Sequence, residues 1–479
     1  MGTDRDTPLC VDCDGTLIRT DLLHEAVLLL VKQAPLKLLL LPFWLMRGKA
    51  YLKQRVSESV EFEWPTLPLN EAVIDAIGVA RAAGRRTVLA TASHQRLADG
   101  LASHLGLFDE VLATEGSVNL AGENKRARLV KHFGERGFDY VGDSNADLPV
   151  WASSRQAIVV SSGSGLANAA RRVATVERVI AKPRAGLAGY VRALRLHQWL
   201  KNLLVFVPLA AAHQLTTATG LLSGLFAFAA FSLCASAVYL LNDLLDLESD
   251  RRHIRKRLRP FAAGLIPVSH GFVLMPLLLV LSLAIAVLCL PTQFLVVLLS
   301  YFAVTLAYSL RLKRQVIVDV LILAGLYTLR VIGGGAATQV VPSFWLLAFS
   351  MFIFLSLALV KRYSELLITL QQNNASPAGR GYLVNDLPVL MSAGTSSSMV
   401  AVLVLALYIN NPEIRTLYAE PLWLWLVPPL LLYWVSRLWM KTHRGEIDDD
   451  PVVFAVRDWQ SLVVVALCGV LFVLAARTL

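Results

Sequence analysis

Cysteine is scarce in this chain, 5 of 479 residues, and Cys10, Cys13, Cys234, Cys289 and Cys468 follow neither disulfide-type nor metal-type spacing. That excludes a disulfide-stapled scaffold and a zinc module. The N-terminus "MGTDRDTPLC" has acids and no apolar leader, so the soluble part is expected to stay in the cytoplasm. Acids are in deficit as well, 35 against 45 Lys and Arg, for a net charge of +10. In a soluble protein this excess would suggest a nucleic-acid partner. Here most of it lies in short loops between apolar runs, which points to membrane orientation instead.

The chain is longer than a single core usually holds, and its composition divides in two. Residues 1 to about 185 read as a soluble domain, whereas from about 203 onward apolar runs dominate and lift the hydrophobic fraction to 56%. Runs long enough to span a bilayer lie near 203–219, 221–241, 271–290, 293–310, 316–337, 343–360, 392–410, 421–440 and 460–478. This predicts an all-α polytopic membrane bundle of nine helices. One set of alternate loops holds Arg251 to Arg259, then Arg311, Lys313 and Arg314, then Lys361, Arg362 and Arg380, then Arg437 to Arg457. The other set contains a single Arg415. The positive-inside rule then places the basic set and the N-terminal domain on the cytoplasmic side of a cell inner membrane, with the C-terminus outside.

At the cytoplasmic end of the second expected helix stands "NDLLDLESDRRHIRKRLRP", Asn242 to Pro260. On a continuous helix Asp243, Asp246 and Asp250 fall within about 60° of one another. Clustered carboxylates repel unless a cation or substrate neutralises them, and oxygen ligands of this kind suit Mg2+ shared with phosphate oxygens. Arg251, Arg252, Arg255, Lys256, Arg257 and Arg259 can grip the anion directly. Together they read as a diphosphate site. A polar helix end followed by an orienting loop would account for the bases but not the acids.

The motif N-D-x-x-D-x-x-x-D, opened by Asn242, resembles that of the UbiA superfamily of intramembrane prenyltransferases, over residues 190 to 479. The resemblance implies a nine-helix fold and Mg2+ held on the donor's diphosphate by the first Asp-rich motif, with help from a second such motif. That second loop here reads "LVKRYSELL", with Lys361, Arg362 and Glu365 in place of paired aspartates. A cationic loop suits an acceptor that carries its own phosphate. In this the chain resembles the branch of decaprenyl-phosphate phosphoribosyltransferases, as do "RLHQWLKN" with Lys201, "RRHIRKRLRPFAAG", "YSLRLKR" with Lys313, and "YTLRVIGGG" with Arg330. That branch implies phosphoribosyl diphosphate as donor and a polyprenyl phosphate as acceptor. The acceptor is already anionic and needs no strong base, which fits the lack of a His or Cys nucleophile near these loops.

Two charges fall inside the fifth expected helix. Asp319 and Arg330 lie on nearly the same face but about 16 Å apart along the axis, so each needs another partner. A cavity lined by that face, or interhelical pairing, would serve. The acids of "EIDDDP" and "VRDW" belong to the last cytoplasmic loop, whether as a reach toward the site or as a solvated segment.

The soluble half opens with "LCVDCDGTLIRTD", a buried strand running into a loop with Asp12 and Asp14. "RTVLATAS" is a second strand ending at Thr91, Lys125 lies in "GENKRARL", and "FDYVGDSNADLPV" is a third strand ending in Asp143 and Asp147. Helical segments at 71–84 and 125–136 imply a parallel sheet with its site at the carboxyl ends of the strands. These motifs resemble the haloacid dehalogenase superfamily of phosphatases across residues 8 to about 165. The resemblance implies a Rossmann-like α/β domain in which Asp12 is the nucleophile and Asp14 the general acid and base. It further implies that Asp12 and Asp143 hold Mg2+ with Asp147 in support, and that Thr91 and Lys125 bind the phosphoryl group.

The expected domains are 1–178 for the phosphatase with a helical cap at about 20–85, 179–190 for a linker, and 191–479 for the membrane transferase. The apolar runs of the cap, broken by Lys32, Pro35, Lys37 and Pro42, are too short to cross a bilayer but could lie on one. The expected function is phosphoribosyl transfer to a polyprenyl phosphate with dephosphorylation of the product. The alternatives are an aromatic prenyltransferase using polyprenyl diphosphate, and a lipid-binding or transport protein.

Overall fold

The computed structural model describes residues 7–371, 380–412, 418–447 and 451–476; Arg415 and Asp448 to Asp450 lie outside the described residues. The chain forms two compact units, Met1–Arg195 with Tyr239–Pro276, and Leu196–Val238 with Leu277–Leu479.

In the first unit β1 (Leu9–Val11) is buried at every position, as a strand covered on both faces by helices must be. It pairs in parallel with β2 (Thr87–His94) on one side and with β4 (Asp139–Gly142) on the other, Leu9 lying opposite both Thr87 and Asp139. With β3 (Glu110–Thr114), β5 (Ala157–Ser161) and β6 (Val176–Ala181) the sheet runs β3-β2-β1-β4-β5-β6. The strand order reverses beside β1, so the carboxyl ends of β1, β2 and β4 open onto one crevice. The expected helices appear at Glu71–Ala82 and Glu123–Phe133. The stretch read as a linker begins inside β6, which pairs with β5 until Pro183 ends the pattern.

Between β1 and β2 the cap contains α1 (Leu22–Gln33), a 3-10 segment Pro35–Leu40, α2 (Leu41–Met46) and α3 (Lys49–Ser57). Leu22, Leu29, Leu30, Trp44 and Val56 from the cap share one core with Val11 and Leu89 of the sheet. Asp21 caps α1 by accepting the His24 N–H at 3.1 Å.

The basic loop after Asp250 belongs to this same unit. Arg251 forms an ion pair with Glu25 of α1 at 2.6 Å, with side chains only 6% and 5% exposed. Thr20 donates to the same carboxylate at 2.6 Å, and Arg251 also donates to the Ala262 carbonyl. Gly264 closes the contact at φ +67°, where a β-carbon would stand 2.6 Å from the Arg19 β-carbon. Only glycine allows that backbone conformation and that approach together.

Eight helices among the described residues are long and apolar enough to cross a membrane: Ala218–Leu245, Val268–Cys289, Thr292–Leu310, Val318–Thr338, Phe344–Gln371, Val384–Asn410, Pro421–His443 and Trp459–Ala476. Their outward positions, such as Val273, Val280, Leu288 and Val296, are apolar and exposed, as lipid-facing surfaces are. The span expected near 203–219 is instead a 3-10 segment Leu196–Phe206 followed by a short helix Val207–Ala211. Lys201 and Asn202 turn inward there, and the polar run after Ala211 stops the helix before it gains length. Small polar residues join the later helices: Ser356 and Ser398 lie 2.6 Å apart and both accept from the Trp439 indole.

Replacing Glu25 by Ala leaves the Arg251 guanidinium buried without its acid, a change that costs about 3 kcal/mol. Thermal unfolding of the detergent-purified protein should show a lowered midpoint, and the 252–258 loop should be cut faster by trypsin. An unchanged midpoint would show that the pair is not needed to hold the loop.

Candidate functional site

The loop leaving β1 turns through Gly15, at φ +75°, whose missing side chain leaves room for the Asp143 carboxylate; a β-carbon there would lie 2.3 Å from Asp143 Oδ2. Asp12, Asp143 and Asp147 can each present an oxygen with all three within 4.8 Å of one another. Lys125, brought in by Glu123–Phe133, donates to Asp12 Oδ1 at 2.8 Å and to the Tyr140 hydroxyl at 2.8 Å. Burial pushes the Asp12 carboxyl up to about 8 against the pull of Lys125. Burial alone would lower the Lys125 ammonium, but Asp12 and Asp147 outweigh it and hold it above its usual range. Asp143 is likewise raised by burial. Burial penalises the charge of both carboxylates, and a divalent cation held between them would offset that penalty.

Asp147 plays a different part. Its Oδ2 accepts from the Asp143 N–H and from the Ser144 N–H and hydroxyl, while its Oδ1 accepts from Tyr140. It therefore orients Asp143 and, at 3.7 Å, steadies Lys125. Asp14 accepts the Leu22 N–H at the start of α1 and the Ser93 hydroxyl at 2.7 Å, and burial lifts it to about 6. That suits a group that must both give and take a proton near neutral pH. Thr91 is buried inside β2, which runs on past it to His94, and its hydroxyl accepts from the Ser93 N–H.

Three contributors here escaped the sequence. Lys182, just after β6, donates to Asp143 Oδ2 at 2.6 Å; it sits in the stretch read as a linker. Lys53, from α3 of the cap, reaches the Ala92 carbonyl at 2.6 Å and Asn119 at 2.7 Å, and its ammonium is lowered by burial. Ser93 binds Asp14. Neither residue type nor spacing marks these side chains, because each arrives from a different element.

The Asp-rich segment departs from a single smooth helix. The first helix ends at Leu245 and a second begins at Leu247, with Asp246 as the turn between. Asp243 and Asp250 are buried and face Arg259, whose Nη1 lies 3.1 Å from Asp243 and 2.6 Å from Asp250. Asp243 is also paired with Arg195, which ends Leu187–Leu194 in the left-handed conformation and stacks on Tyr239. Burial raises the Asp250 carboxyl, and Arg259 opposes it. A guanidinium thus stands between Asp243 and Asp250, where the sequence predicts one cation shared by Asp243, Asp246 and Asp250; among the described residues the three-acid group close enough to hold a metal is Asp12, Asp143 and Asp147. Asp246 is half-buried, as is Asn242, whose carbonyl accepts the Asp246 N–H; Arg257 is exposed.

In the second unit Arg330 is 5% exposed. It donates to Asn202 at 2.8 Å, to Tyr301 at 2.9 Å and to the Leu326 carbonyl, with Tyr301 and Tyr327 against its face. Lys201 lies over Tyr327. Asp319 pairs with Arg362 at 2.6 Å, and Arg362 pairs again with Glu365. Arg380 donates to Tyr308 and to the Lys313 carbonyl and lies 3.7 Å from Glu365. Lys361 is half-buried. Asp458 of "VRDW" is held in a two-pronged pair by Arg437.

A model of the UbiA prenyltransferase family matches residues 203–462 of the chain, and a model of haloacid dehalogenase-like hydrolases matches residues 9–151. The Sinorhizobium fredii protein y4nM is 39% identical over 98% of this chain and 92% of its own length. The nodulation protein NoeC of Azorhizobium caulinodans is 32% identical over 60% of this chain and 94% of its own. The decaprenyl-phosphate phosphoribosyltransferase of Mycobacterium tuberculosis is 42% identical over 40% of this chain and 64% of its own.

Lys182 places a positive charge on Asp143, where it opposes a second cation. Lys182→Met should therefore tighten Mg2+ or Mn2+ binding about tenfold, or 1.4 kcal/mol, in a calorimetric titration of the full-length protein. Weaker binding would show instead that Lys182 helps to assemble the carboxylates.

Proposed function

Since the chain belongs to the UbiA prenyltransferase family and has a haloacid dehalogenase-like hydrolase domain ahead of its membrane part, we propose that it transfers a phosphoribosyl group from phosphoribosyl diphosphate to a polyprenyl phosphate and then removes the 5-phosphate from the product. The observation that carries this reading is the state of the second family site. Where a prenyl-transferring relative would present aspartates to a second metal, this chain offers Glu365, already paired with Arg362 and close to Arg380. A charge-balanced, arginine-rich site favours an anionic acceptor over a neutral ring. The similarity to decaprenyl-phosphate phosphoribosyltransferases supports the same choice.

A divalent cation bound by Asp243 and Asp250, with Asp246 in reach, would neutralise the charge that develops on the leaving diphosphate. Arg195 and Arg259 hold those acids and can shift toward the departing oxygens. As the bond to the sugar loosens, the anomeric carbon takes on oxocarbenium character and the lipid's phosphate oxygen attacks it. Lys201, Lys313, Arg330, Lys361 and Arg362 are the basic groups assigned to phosphate recognition, Arg330 and Arg362 by exchanging internal partners. In the hydrolytic domain Asp12 attacks the phosphoryl group, Lys125 and Thr91 hold its oxygens, and Asp14 protonates the leaving alcohol and then activates water.

With labelled phosphoribosyl diphosphate and polyprenyl phosphate, Asp243→Asn should reduce lipid labelling about a hundredfold or more. A lipid-binding or transport role would leave no labelling to lose. Asp12→Asn should leave the labelling intact while the phosphorylated lipid accumulates. An unchanged ratio of phosphorylated to dephosphorylated product would separate the two activities.

A further inference from the structure

The cap holds an apolar surface that the hydrolytic chemistry does not use. Along Pro35–Met46 six large side chains face outward: Leu36 at 82% exposure, Leu39 at 74%, Phe43 at 65% and Met46 at 85%, with Leu40 and Leu45 beside them. Only Trp44 of this strap is fully turned into the core. A soluble domain rarely leaves so many neighbouring apolar side chains in water.

The surrounding charge has one sign. From Ala26 to Ser57 there is no acid, while Lys32, Lys37, Arg47, Lys49, Lys53 and Arg55 are all basic. Lys37, Arg47 and Lys49 are exposed at the rim of the apolar face. An apolar centre with a basic margin matches the boundary between acyl chains and anionic headgroups.

The helix that leads into the strap touches, within its own unit, the first turns of a candidate membrane helix. His24, near the start of α1, stands edge-on to Phe272 with ring centroids 5.8 Å apart, and Phe272 lies in the first turns of the candidate span Val268–Cys289. Lys32, near the other end of α1, lies 3.6 Å from Glu248. Since α1 is about 18 Å long, the strap that follows it begins roughly 20 Å from where that span starts.

We propose that Pro35–Met46 is a monotopic membrane contact. Leu36, Leu39, Leu40, Phe43, Leu45 and Met46 enter the interfacial layer of an anionic bilayer, and Lys37, Arg47 and Lys49 bind its phosphates. The contact does not depend on what either active site turns over. It would fix the cap from outside, because α3 follows the strap and delivers Lys53 to the Ala92 carbonyl of β2.

The test uses the full-length protein in nanodiscs containing anionic lipid, with Cys289 and Cys468 changed to Ser. A polarity-sensitive fluorophore is attached at Phe43→Cys, at Leu39→Cys, or at Val79→Cys, a control on the exposed face of Glu71–Ala82. The strap labels should emit at shorter wavelength than the control and be quenched about threefold more by lipids carrying a spin label near the headgroup. Because Leu39 and Phe43 are exposed, their replacement should not disturb folding. Quenching equal to that at Val79 overturns the proposal. So does shielding that appears only when two copies share a disc, since it would assign the face to a second copy of this chain.

Discussion

Carboxylates cannot be withdrawn from water without a cation, and that constraint organises both halves of the molecule. Asp12 is buried against Lys125, and half-buried Asp143 pairs with Lys182. Asp243 and Asp250 are buried against Arg195 and Arg259. Asp319 is buried against Arg362. In the first case burial raises the acids, so a more highly charged ion has something to gain there, whereas in the second one shared base bridges the two acids. In the third, Arg362 balances the acid across two helices. The same physics thus yields a three-acid group that suits a metal and an ion pair that joins two helices.

The Asp-rich segment and the hydrolytic loop are also joined by short steps through one unit. Asp250 precedes Arg251, which pairs with Glu25 on α1. The first N–H of α1 is held by Asp14, the group assigned to proton transfer in the hydrolytic domain. The Asp-rich segment and the hydrolytic loop therefore share a helix and a buried ion pair. A UbiA-type transferase and a haloacid dehalogenase-like domain on one chain here meet through a contact in which each supplies a charged side chain.

Much of the site was legible because its residues travel in local motifs. Asp12, Asp14, Thr91, Lys125 and Asp143 each stand at or near the end of a strand or the start of a helix whose pattern is plain in the sequence, and the parallel sheet converges them. What was not legible came from elsewhere. Lys182 follows an edge strand that reads as a linker, since its alternation is weak and Pro183 comes directly after. The segment at 203–219 reads as a span by hydropathy, yet buried Lys201 and Asn202 draw it into a 3-10 path.

The sequence alone determined the division into a soluble α/β part and an apolar helical part, the membrane character of the second, and the identity of the clustered acids and bases. Those follow from composition and from periods of two and 3.6 residues, which are local properties. Tertiary structure alone decided which base neutralises which acid. Arg259 reaches across to Asp243 and Asp250, Arg362 to Asp319, and Arg251 to Glu25, 226 residues away, because burial makes pairing obligatory while leaving the choice of partner to packing.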